Sequence, residues 1–201
     1  AESLGFNTIR LFMNNIVWEK EHDLFMGHLE EVISLADKHG MTVLPNFFTN
    51  GGKDEYIAYG PQPQPIPGIH NGVWAPNPGK AVVNDPSKWG PIKEYLQEII
   101  GKYKNDSRIL AWCLYNEPEN KYPEYNTYPL LKAVFSWARE INPSQPLTAP
   151  IWGMPGASNS RMHIQGFLFE NCDIISFHAY FGAETAQKMV ALMKVLNRPM
   201  L

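Results

Sequence analysis

The feature that most constrains this chain is a repeated alternation of short apolar runs with longer segments of helical period. Thr8–Phe12 (TIRLF), Thr42–Phe48, Ile109–Tyr115, Leu147–Trp152 and Asp173–His178 read as buried strands, and Pro199–Leu201 reads as the opening of another. Between them lie amphipathic helices. Asp23 caps one, with Leu24, Phe25, Leu29, Val32, Ile33 and Ala36 on its apolar positions and Gly40 ending it. Asp85 caps a second, with Trp89, Ile92, Leu96, Ile99 and Tyr103 on one face. A third starts at Pro129 and carries Leu131, Val134, Phe135 and Ala138; a fourth covers Ala186–Leu196. Glu2–Leu4 reads as the last turn of a helix stopped by Gly5. Strand, helix, strand, repeated, argues a parallel α/β architecture, and by itself fits a closed barrel or an open doubly wound sheet equally well. No glycine-rich phosphate loop follows any strand, which argues against nucleotide binding.

Composition narrows the classes. With 201 residues, 44% of them hydrophobic, the chain can bury one sizeable core, and we treat residues 1–201 as a single domain. A formal net charge of −3 and scattered Lys and Arg give no electrostatic case for nucleic acid. No stretch approaches the roughly 20 consecutive apolar residues of a membrane helix, so no membrane insertion is expected. Cys113 and Cys172 lie in apolar runs and read as buried free thiols. His22, His28, His39 and His70 show no ligand spacing, so neither a metal nor a cofactor is expected. The segment from about Thr49 to Asn84, rich in turn residues (GG, PQPQPIPG, NPG), is long enough to suggest a functional loop.

The chemistry concentrates in Trp112-Cys113-Leu114-Tyr115-Asn116-Glu117-Pro118. Here a buried strand ends and at once presents an amide, a carboxyl group and a chain-stopping proline. In parallel α/β folds the carboxyl ends of strands hold the active site. A carboxyl group there, flanked by Trp112 and Tyr115, should feel desolvation that favours its protonated form. Asn116 can donate its amide to a substrate hydroxyl.

These residues resemble clan A of the glycoside hydrolases, most closely family 5 and its cellulase- and mannanase-type relatives. GFNTIRLF resembles the second barrel strand, WCLYNEP the fourth, SFHAY the sixth and RPML the start of the seventh. The resemblance implies a (β/α)8 barrel of which residues 1–201 supply strands two to seven. It implies Glu117 as acid/base, Asn116 on the sugar 2-hydroxyl, Arg10 beside the nucleophile, and His178 and Tyr180 lining the site. Trp152, just past the fifth strand, is a candidate for stacking on a sugar ring. Asn14, Asn15, Asn46 and Asn50 follow strands two and three and are candidates to reach substrate. Trp74, Tyr56 and Tyr59 could build outer sugar subsites.

One departure counts against a complete site. The clan's nucleophile is a second glutamate at the end of the seventh strand, and we expect it a few residues beyond Leu201; Glu170 and Glu184 are poorly placed to replace it. The implied activity is retaining hydrolysis of a β-linked glucan, mannan or related polysaccharide or oligosaccharide, with residues 1–201 alone inactive. Secretion would suit an enzyme of polymers. The alternative is a carbohydrate-binding barrel that has lost catalysis.

Overall fold

A computed structural model describes residues 1–156 and 159–201. Strands β1 (Thr8–Phe12), β2 (Thr42–Thr49), β3 (Trp112–Asn116) and β4 (Leu147–Thr148) lie side by side in chain order, all parallel. Strands β5 (Ile151–Trp152) and β6 (Phe177–His178) form a second parallel pair, and Ile175 bridges Met200 in the same sense. The connections carry α1 (Asn15–Lys20), α2 (His22–Lys38), α3 (Lys80–Val83), α4 (Trp89–Tyr103), α5 (Thr127–Ile141), α6 (Met162–Asn171) and α7 (Ala183–Lys194). Parallel strands in chain order, joined through helices, form an arc of a (β/α)8 barrel. The arc is the expected partial barrel: β1 takes the place of the second strand, β6 that of the sixth, and the Ile175–Met200 bridge opens the seventh.

Strand β3 shows why the sequence folds this way. Side chains alternate across a strand. Ala111 and Cys113 join Leu44 in a small cluster, while Trp112 and Leu114 enter the main core. The fully buried Trp112 satisfies its one polar atom by donating from Nε1 to Gln145 Oε1 at 3.1 Å. Gln145 donates in turn to the carbonyls of Tyr103 and Asp106, each at 2.8 Å, which locks β3 to the end of α4. Both cysteines are buried and free, as expected, and burial pushes the Cys172 thiol up to about 12.

Several boundaries differ from expectation. The run Leu147–Trp152 is two strands, because Pro150 has no N–H to donate; the first pairs with β3 and the second with β6. Asp23 sits in the first turn of α2, whose cap is Glu21. Asp85 does cap, accepting from Ser87 N at 3.1 Å, but it caps a single 3-10 turn that leads into α4. Helices α1 and α6 are unanticipated. The first is only six residues long. The second has apolar residues around much of its circumference, so periodicity does not reveal it. The long segment after β2 contains α3 and a 3-10 turn over Asp54–Tyr56.

Candidate active site

Glu117 is the first residue after β3, and its φ of 50° lies in the left-handed region. For a residue with a side chain that conformation costs about 1–3 kcal/mol and persists only where the surroundings enforce it. They do so here. Its N–H donates to Pro150 O at 3.2 Å, Asn120 Nδ2 donates to its Oε2 at 3.2 Å, and His178 Nδ1 pairs with its Oε1. The side chain is held at the rim of a cleft with only 8% of the residue exposed.

Arg10, from β1, organises the floor. Its Nη2 donates to Asn116 Oδ1 at 2.9 Å and Asn46 Oδ1 at 3.0 Å, and approaches Cys113 Sγ at 3.2 Å. Its Nη1 lies 3.3 Å from His178 Nε2. A guanidinium only donates, so His178 accepts at Nε2 and carries its hydrogen on Nδ1, where it donates to Glu117. The arginine thus selects the tautomer that grips the carboxyl group. Asn116 is fixed from its other end as well, with Nδ2 donating to Thr49 Oγ1 at 3.2 Å.

The cleft, about 440 Å³, is lined by Arg10, Asn116, Glu117 and His178, with Trp152, Tyr180, Trp74 and Phe12 as aromatic walls. Tyr180 is 72% exposed, its ring 6.1 Å from that of His178. Phe12 and Trp74 meet edge to face at 4.9 Å. A larger cavity of about 600 Å³ shares Phe12, Thr49 and Trp74 with the cleft and contains Tyr56 and Tyr59. Its carboxylate, Glu21, is occupied by the Tyr59 hydroxyl, so the candidate chemistry sits in the smaller cleft.

The structure therefore gathers Arg10, Asn116, Glu117, His178, Tyr180 and Trp152 around one space. It places Asn50 elsewhere. Asn50 is fully buried: its amide donates to Pro118 O, Asn120 O and Thr127 Oγ1, and its Oδ1 accepts from Tyr115 at 2.6 Å. All its polar capacity goes to holding the loop after β3, which corrects the expectation of substrate contact. Asn14 likewise caps α1, and Asn46 serves Arg10 and Cys113. Sequence reasoning missed His70 and Thr49, which line the cleft, and Glu119, which lies behind it.

Burial pushes the Glu119 carboxyl up from 4.5 to about 7, with the nearby Glu117 charge a smaller cause in the same direction. The folded state therefore binds this proton more tightly than the unfolded chain does. Its stabilising contribution is fully present below pH 4.5 and is lost as the pH rises to about 7. The loss is on the order of 3 kcal/mol. Glu119→Gln is expected to remove that dependence, read as the difference in urea-unfolding free energy between pH 4.5 and pH 8 for the full-length protein.

Comparison with known proteins agrees with the class to which the barrel and its aromatic-walled cleft point, the glycoside hydrolases. Residues 1–195 match the family described as Cellulase (glycosyl hydrolase family 5), and the chain belongs to that family. Among curated relatives, mannan endo-1,4-beta-mannosidase 5 of Solanum lycopersicum is 24% identical over 189 residues, covering 78% of this chain and 42% of the relative. Mannan endo-1,4-beta-mannosidase 1 of the same organism is 29% identical over 136 residues, covering 59% of this chain and 29% of the relative. The chain thus spans less than half the length of these relatives. Among solved structures, the endo-beta-1,4-mannanase from Thermotoga petrophila superimposes with a TM-score of 0.68 at 15% identity, covering 100% of this chain and 54% of that one. A family 10 endo-beta-1,4-xylanase from Gloeophyllum trabeum gives 0.59 at 12% identity, covering 97% and 69%. These likenesses establish the shared barrel fold.

Proposed function

We propose that the protein carrying this chain is a retaining β-glycoside hydrolase of β-linked polysaccharide, with mannan as its first candidate substrate, and that Glu117 is its acid/base. The observation that carries this reading is Glu117 itself, held in a left-handed backbone conformation at the end of β3 and gripped by His178 and Asn120. The names of the curated relatives favour mannan over other β-linked glycans.

Retention uses two carboxyl groups about 5 Å apart. Glu117 is the carboxyl group among the residues lining the cleft. The second, the nucleophile, is proposed to come from polypeptide outside residues 1–201, from the strand that Met200 begins. It attacks the anomeric carbon while Glu117 gives its proton to the departing glycosidic oxygen. Glu117 then takes a proton from the water that releases the sugar. Asn116, fixed at both ends, presents its amide at the cleft for a sugar hydroxyl. Arg10 supplies fixed positive charge that favours an ionised nucleophile. A sugar-binding barrel without catalysis has no use for a proton donor so constrained.

The test is the anomer first released. Full-length protein acting on manno-oligosaccharides, followed by proton NMR, is expected to give the β anomer before mutarotation. The α anomer first would mean inversion and overturn the mechanism. Preference for xylan or cellulose over mannan would overturn the substrate.

A further inference from the structure

Glu119 lies two residues past the proposed acid/base and is 0% exposed. Its Oε1 accepts the Trp152 backbone N–H at 2.5 Å and faces Gln165 Nε2 of α6 at 3.5 Å. Its Oε2 is buried with no hydrogen-bond partner among the described residues. A buried carboxyl group left half satisfied is costly, and a hydrophobic residue of the same size would pack there without that cost. A carboxyl group in such a place calls for a use.

The geometry points to Glu119 as a positioning residue that clamps the loop bearing Glu117 to the Trp152 wall of the cleft. This rests on the reading of Glu117 as acid/base, because the clamp matters to the extent that the spacing of those two groups matters. Two bonds run between the same segments in opposite senses: Glu117 N–H to Pro150 O at 3.2 Å, and Trp152 N–H to Glu119 Oε1. Together they flank Ile151, where β5 begins, and fix how far the Trp152 ring stands from Glu117. Gln165 extends the clamp outward, its Oε1 accepting from Gly156 N at 3.1 Å, so the loop after β5 hangs from the same point.

The clamp also titrates. The Trp152 N–H occupies Oε1, so a proton on the group sits on Oε2. Loss of that proton converts the Trp152 bond into a stronger, charge-assisted one. The charged group that acts on it is Glu117, itself paired with His178; Arg161 lies 4.9 Å over the ring of Trp152, the residue the clamp holds. Gln165 faces it from α6 and is not titratable. Burial places the transition at about 7.

Two variants of the full-length protein test the clamp. Glu119→Ala removes the acceptor and is expected to raise KM on natural glycan about tenfold, with kcat changed less than about threefold. Glu119→Gln keeps an acceptor for Trp152 and is expected to restore KM to within about threefold of the parent. In 15N–1H spectra, the Trp152 backbone amide of the parent should move downfield with a midpoint near pH 7. In Glu119→Gln it should stay still. A pH-independent Trp152 amide in the parent, or a KM in Glu119→Gln as high as in Glu119→Ala, overturns the clamp. The spectral result does not depend on which group protonates the leaving oxygen. A titrating Trp152 amide alongside an unaffected Glu117 variant would therefore sink the catalytic assignment and leave the clamp standing.

Discussion

Glu117→Gln in the full-length protein is expected to lower kcat/KM on natural glycan by about 10²–10⁴-fold, the usual worth of a positioned general acid. The amide is nearly isosteric and still reaches Asn120 and His178, so the fold is expected to survive. The loss should depend on the leaving group. A dinitrophenyl glycoside departs without protonation, and its kcat/KM should fall less than about tenfold. Its kcat should fall further, because release of the covalent intermediate still needs the missing base, and KM should fall with it. Steady-state kinetics on both substrates reads the contrast. Equal losses on both would remove Glu117 from the acid role.

Arg10→Met carries the second large effect. The guanidinium holds Asn116 and Asn46 at 2.9 and 3.0 Å and sets the His178 tautomer. Hydrogen bonds from a charged donor are worth about 1.5–3 kcal/mol each, and removal leaves two amide oxygens without that donor. His178 also loses the contact that keeps its hydrogen toward Glu117. Together these losses are expected to reduce kcat/KM about 10²–10³-fold. Arg10→Lys keeps the charge but has no planar fork, so it should recover little. A lysine variant with parental kcat/KM would show that charge alone suffices and that the fork is incidental. Thermal unfolding of each variant separates this loss from misfolding.

The residues most legible in the sequence are those whose roles follow from a strand's end. Asn116, Glu117 and His178 each close an apolar run, and a parallel fold brings such positions to one rim; Arg10, in the middle of β1, was legible through the family resemblance of its strand. Asn50 closes a run too, and the same reasoning sends it to the substrate. What turns it inward is a set of partners 65 to 77 residues away: Tyr115, Pro118, Asn120 and Thr127. No local pattern announces them. Glu119 was illegible for a related reason: its burial depends on β5 and on Gln165 of α6, a helix that periodicity does not reveal. The break of the fifth strand at Pro150 was visible in the residue itself, since proline cannot donate to a ladder. Architecture is thus read from local period and strand ends, whereas the division of polar residues between buttress and cleft depends on distant packing.

Azide rescue of Glu117→Ala tests the central claim most directly. Azide is a nucleophile that needs no general base, so it can attack a covalent glycosyl intermediate where water cannot. With full-length Glu117→Ala and an activated β-glycoside, azide is expected to restore turnover and yield the β-glycosyl azide. Formation of the α-glycosyl azide, or no rescue by azide of an inactive but folded variant, would contradict Glu117 as the acid/base of a retaining hydrolase.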